Sequence, residues 1–154
     1  MFGLQDRQFS QFVHEVFGST IQDLGFEFQE ENENLLFGRK GDIQLIFRLE
    51  VAYHIYLFSI EIKLLGKLGE HAAADSYYRQ LSVTTIAQYS DPEYKISLKG
   101  SSTEEELKEM METQKVELLK YCKTIIDVDI SLWSKIADVL IKQAENSRYK
   151  FHRK

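Results

Sequence analysis

The sequence predicts an α+β domain: an N-terminal helix, a four-stranded antiparallel meander, and C-terminal helices laid over one sheet face. Three observations lead there. Apolar residues recur every third or fourth position up to residue 25, every second position between residues 26 and 63, and every third or fourth again after residue 103. The connections between the alternating runs are too short to hold the crossover helix that a parallel pair requires. Finally, an apolar helix stripe and the apolar face of a sheet each need cover, and stacking one on the other supplies it.

The first helix is read from Phe9, Phe12, Val13, Val16, Phe17, Thr20, Ile21 and Leu24, which form one stripe, with Asp6 as a cap and Gly25 as the stop. Phe26 and Phe28 then alternate with Glu27 and Gln29, and the turn-rich Glu30–Asn34 separates them from Leu35–Phe37. After Arg39-Lys40-Gly41-Asp42, the residues Ile43, Leu45, Phe47 and Leu49 alternate with Gln44, Ile46, Arg48 and Glu50. A turn near Val51-Ala52 leads into a last strand from Tyr53 to Lys63. Because Ile46 shares a face with Gln44, Arg48 and Glu50, that face is expected to be partly wet or covered by a partner.

Beyond Gly66 and Gly69 the pattern is ambiguous: Tyr77, Tyr78, Leu81 and Thr85 have helical spacing, yet Val83-Thr84-Thr85-Ile86 is β-branched. A short helix is expected over Ser82–Tyr89, and Tyr94, Ile96 and Leu98 suggest a short edge strand. The final third is helical. Overlapping Ser/Thr-x-x-Glu pairs in Ser101–Glu106 form a capping box, and the acids suit the positive helix end. Leu107, Met110, Met111, Gln114, Leu118, Cys122, Ile125 and Ile126 face inward. A second helix, capped by Asp129 or Ser131, turns Leu132, Trp133, Ile136, Ala137, Leu140, Ile141 and Ala144 to the core.

At 154 residues the chain has the size of one domain, 1–154, which buries its own core. Its single Cys122 excludes an internal disulfide, and its net charge of −5 disfavours nucleic acid as a partner. The basic run from about residue 148 reads as a solvated end. No stretch approaches the ~20 apolar residues that span a bilayer, and Met1–Arg7 lacks a signal-peptide core, so a cytoplasmic protein is expected.

No nucleophile elbow, phosphate loop or dinucleotide fingerprint is present. Cys122 sits on an apolar stripe, which suits inert packing better than nucleophilic chemistry. His14, His54, His71 and His152 are too scattered for a metal site, so neither metal nor cofactor is expected.

The acids are unevenly placed: Asp23, Glu27, Glu30, Glu31 and Glu33 cluster without a base, and Glu104, Glu105, Glu106, Glu109 and Glu112 surround Lys108. An acidic surface on a small rigid scaffold suits a binder that masks a basic partner such as a nuclease active site. Glu30, Glu31, Glu33 and Asp42 are the residues expected to face that partner. The alternative that the acids merely keep the chain in solution stays open.

Leu24-Gly25-Phe26, the alternating Ile43–Lys63 strands and the run Tyr121 through Trp133 resemble small bacterial α+β proteins of the polymorphic-toxin immunity type. Val128-Asp129 stands where such proteins often carry Gly-Asp. The resemblance implies a non-enzymatic inhibitor of a toxin domain. Two other readings remain: a small-ligand protein or enzyme with a pocket lined by Tyr53, His54, Tyr77 and Tyr78, and a self-associating scaffold, possible as a homodimer.

Overall fold

The computed structural model describes residues 8–32, 34–95 and 100–152. The first helix, α1 (Gln8–Asp23), buries Phe9, Phe12, Val13, Phe17 and Ile21, most of the expected stripe. It ends as the glycine foretold. Gly25 takes a φ of 88°, Gly25 N–H donates to Gln22 O, and Phe26 N–H reaches back to Ile21 O, both at 3.0 Å. This is a Schellman closure, completed by Phe26 and Ile21 sharing the core.

The sheet has five strands in the order β1-β2-β3-β4-β5: β1 (Glu27–Asn32), β2 (Leu35–Lys40), β3 (Ile43–Ala52), β4 (Ile55–Leu64) and β5 (Gln80–Ser82). Every neighbouring pair is antiparallel. The expected meander of four is therefore extended by one strand. β5 pairs Leu81 with Ile62, and its three residues are too few to display an alternation of their own, so only the partner strand defines it. The β3–β4 turn also moves: Ala52 pairs with Ile55, which puts the two-residue turn at Tyr53-His54, extends β3 to Ala52 and starts β4 at Ile55 instead of Tyr53.

One sheet face carries Leu36, Ile43, Leu45, Phe47, Leu49, Tyr56, Phe58, Ile60, Ile62 and Leu64, all buried. Phe17 packs on Phe47 and Phe58, and Phe9 meets Phe58 edge-on, so α1 lies on this face. The opposite face is mixed. Ile46 is only 4% exposed there, between Phe37 on β2 and Glu61 on β4, while Arg48 Nε donates to Glu61 Oε1 at 2.9 Å.

After β4 come α2 (Gly66–Ala72), a 3-10 turn (Ser76–Arg79), β5 and α3 (Val83–Ser90). The helix α3 forms close to its expected bounds despite its β-branched start, because the Ser82 hydroxyl caps Thr85 N–H at 3.1 Å and Val83 and Ile86 are fully buried. Tyr94 lies in irregular backbone, and the rest of the expected edge strand around Ile96 and Leu98 falls outside the described residues.

The long α4 (Glu104–Tyr121) begins at Thr103, whose hydroxyl accepts from Glu106 N–H at 3.1 Å. A short α5 (Lys123–Ile126) leads into α6 (Ser131–His152), whose first turn is capped by Asp129 through Ser131 N–H and Oγ. Those two bonds hold the Asp129 carboxyl below its usual range, the hydroxyl contributing most. Trp133 is fully buried and donates to Tyr78 O at 2.9 Å. The helical backbone includes the positions of the terminal basic run up to His152.

Val128, between α5 and α6, has a φ of 72°, where a β-branched side chain crowds its own carbonyl. Relief of that crowding, about 1–2 kcal/mol, outweighs the extra backbone entropy glycine loses on folding, about 0.5–1 kcal/mol. Val128→Gly is therefore expected to stabilise the fold by about 0.5–1 kcal/mol in urea denaturation. A loss of stability would show that the exposed Val128 side chain contributes more than its strain costs.

Candidate functional site

Three segments lie toward one end of the sheet, with the β3–β4 apex extending about 14 Å past the β1–β2 connection at 3.4 Å per residue. The first is the β3–β4 apex. Tyr53 and His54 have φ values of 52° and 64°, the left-handed pair that a two-residue type I′ hairpin needs and that Asn-Gly would fill without strain. Instead two bulky residues occupy it, and Tyr53 is 97% exposed. Ile55 and Leu57, at 42% and 44% exposure, continue the apolar surface down one face of β4, while Val51, 53% exposed and paired with Tyr56, lies on the other face of the hairpin.

The second segment is the start of α4. Tyr56 N–H donates to Ser101 O, and Ser101 N–H donates to Tyr56 O, both at 2.8 Å, which docks residues 100 and 101 against β4. Gly100 is required there: a Cβ would lie 2.1 Å from Ile55 Cγ2. Thr103 follows two residues later, so the exposed Glu104, Glu105 and Glu106 open their helix beside the apolar surface. Exposed Glu50, paired with Leu57 across the strands, adds another acid.

The third segment is the β1–β2 connection. Leu49 N–H donates to Asn34 O at 2.9 Å and Leu35 pairs with Arg48, so this loop sits at the apex end of the sheet. Glu30 and Glu31 lie on β1 opposite Phe37 and Leu36, leading into that loop; Glu33 is outside the described residues. Asp42 does not join them. It occupies the β2–β3 turn at the other end of β2, about 17 Å away at 3.4 Å per residue, where its carbonyl accepts from Leu65 N–H at 2.7 Å. Of the sequence-selected acids that are described, Glu30 and Glu31 thus belong to one end of the sheet and Asp42 to the other.

Tyr53 and His54 are expected from the sequence in a strand and as pocket lining, and the structure places them instead at the exposed turn between β3 and β4. The signal for that turn was present: a tyrosine and a histidine at the centre of a long alternating run with no glycine to turn it.

The pocket expected from Tyr53, His54, Tyr77 and Tyr78 is divided. Tyr77 and Tyr78 line a groove of about 830 Å3 with Glu61, Lys63, Gln80 and Ser82, at the far end of β4. His54 and Lys63 are nine residues apart along the hairpin, roughly 30 Å in extended chain.

A buried polar cluster joins α3 and α4. Glu117 is 2% exposed and accepts from Thr84 Oγ1 at 2.7 Å and from Tyr94 OH at 2.6 Å. Tyr121 OH donates to Asp91 Oδ2 at 3.0 Å beside it. Burial, then the bond to Glu117, push the Tyr94 phenol up; burial, with a smaller contribution from Glu117, does the same to the Cys122 thiol. Cys122 is fully buried, in the inert position its stripe implied.

Among the described residues no three His, Cys, Asp or Glu side chains gather as a metal-holding group, and no helix is long and apolar enough to cross a membrane. Set beside known proteins, the chain matches no family model, no curated protein and no solved structure.

Proposed function

We propose that this chain is a non-enzymatic protein-binding module of the toxin-immunity type, acting in the cytoplasm, whose β3–β4 apex docks on a basic partner domain. The observation that carries this reading is Tyr53, held almost wholly exposed on a strained turn. Exposed residues in costly backbone geometry cluster at functional sites, and an exposed aromatic among smaller apolar side chains has the make-up of an interface hot spot. The rim suits the same role: Glu50 and Glu104–Glu106 would speed encounter with a positive surface and select for it. A smaller point also favours the family reading. The left-handed φ of Val128 is the conformation glycine favours, and glycine is common at that position in the proteins the sequence resembles.

The test is titration with the product of the adjacent reading frame, chosen for a basic domain. Tyr53→Ala is expected to weaken binding about thirtyfold or more, equivalent to about 2 kcal/mol. Glu104→Lys with Glu105→Lys should slow association and reduce its salt dependence. If both variants bind like the parent while Glu30→Lys or Glu31→Lys does not, the partner docks on β1 instead of the apex. Concentration-dependent sedimentation abolished by Tyr53→Ala would instead assign the apex to a second copy of this chain.

A further inference from the structure

The groove at the opposite end of β4 has a chemistry unlike the rest of this acidic molecule. Its floor is formed by Glu61 and Lys63 of β4 with Gln80 and Ser82 of β5, and its wall by Tyr77 and Tyr78. Its volume, about 830 Å3, falls within the range of small-molecule sites. The one carboxylate on the floor is already engaged: Glu61 accepts from Arg48 Nε and, through its other oxygen, from Gln80 Nε2. The cations are not neutralised. The Lys63 ammonium makes no hydrogen bond or ion pair among the described residues; only its backbone is engaged, in the sheet. Arg79 donates only to the carbonyls of Ala73 and Ala74, leaving its charge without an acid partner.

Beside these cations Tyr77 is 79% exposed, with its ring set edge-on to Tyr78 at 5.1 Å and its hydroxyl unpartnered among the described residues. The wall is fixed before any ligand arrives. Asp75 Oδ1 accepts from Tyr77 N–H at 2.9 Å, and Trp133 Nε1 and Ser134 Oγ on α6 hold the carbonyls of Tyr78 and Ala72. A preformed site costs little ordering entropy on binding.

We propose that this groove binds a small planar molecule bearing one anionic group, of mononucleotide size or less, with its ring on Tyr77 and its anion toward Lys63 and Arg79. Aromatic rings stack on tyrosine regardless of detailed identity, and charge-assisted hydrogen bonds supply the orientation. The site lies at the other end of the sheet from the apex and does not depend on the function proposed above.

Amide chemical shifts of the full chain, titrated with AMP, adenosine, indole-3-acetate and inorganic phosphate, decide the matter. AMP or indole-3-acetate is expected to shift Lys63, Tyr77, Gln80 and Ser82, and the stronger of the two tells phosphate from carboxylate. Lys63→Gln should weaken the anionic ring compounds about tenfold and leave adenosine unaffected, as loss of one charged hydrogen bond implies. Tyr77→Ala should weaken all three ring compounds. Both side chains lie outside the buried core, and unchanged shifts elsewhere would verify that the variants fold. The proposal is overturned by an absence of shifts at roughly 10 mM probe, well above a millimolar Kd. It also fails if phosphate binds as well as AMP, or if Lys63→Gln leaves every probe unchanged.

Discussion

Replacing Gln114 with Met is expected to remove about 2–5 kcal/mol of folding stability, the largest single-residue effect outside the apolar core. The reason lies on the free edge of β4. That strand has ten residues but β5 has three, so β5 covers only Glu61 to Lys63, and the Ser101 bridge covers only Tyr56. Between them, Phe58 C=O and Ile60 N–H face α4. The Gln114 side-chain amide meets both: Nε2 donates to Phe58 O at 2.7 Å, and Oε1 accepts from Ile60 N–H at 2.8 Å. One side chain does what two backbone groups of a missing strand would do. Methionine keeps the volume and leaves both groups buried and unsatisfied, at about 1–3 kcal/mol each. Gln114→Glu should be no better, since it keeps an acceptor for Ile60 but turns a carboxylate toward the Phe58 carbonyl. Urea denaturation with an unchanged slope measures the loss; a change under about 0.5 kcal/mol would mean water or a backbone shift replaces the amide.

The second large effect has opposite signs in two measurements. Substituting Tyr53→Asn together with His54→Gly supplies the residues a type I′ turn favours. It is expected to stabilise the fold by about 1–3 kcal/mol, the strain held by two left-handed non-glycine residues. The same change deletes the exposed ring, so affinity for the basic partner should fall about thirtyfold or more, as for Tyr53→Ala. Tyr53→Ala alone should lose the affinity without gaining the stability. A double variant that is more stable and binds as before would separate the strain from the binding and remove the ring from the interface.

The two results bear on one design. β4 is closed along its edge by a helix side chain and a bridge, and its far end projects beyond the core as a hairpin. Gln114 and Ser101 are what allow that strand to be long without exposing an edge that would pair with other chains. The length in turn carries Tyr53 clear of the domain.

How much of this was legible in the amino-acid order can be argued residue by residue. The switch in apolar spacing located α1, β2, β3, β4, α4 and α6, because burial of one face imposes a period that no other arrangement satisfies. Gly25, Thr103 and Asp129 gave the boundaries, since capping is local chemistry between residues a few positions apart. Gln114 was legible as an inward-facing position but not as a surrogate strand. Glu117, three residues on, was not legible at all, because its partners Thr84 and Tyr94 are distant in sequence.

The sequence by itself thus determined the layers, the helix ends and the acidic character, all of which follow from contacts within about one turn or one hairpin. Only the tertiary structure decided three things. β5 exists because Ile62 offers an edge to Leu81, not because three residues prefer extension. The acids divide between two ends of the sheet because register, not proximity in sequence, sets which loops are neighbours. And Tyr53-His54 turn because Ala52 and Ile55 pair, overriding the local cost of a left-handed tyrosine with ten rows of β3–β4 hydrogen-bonded ladder.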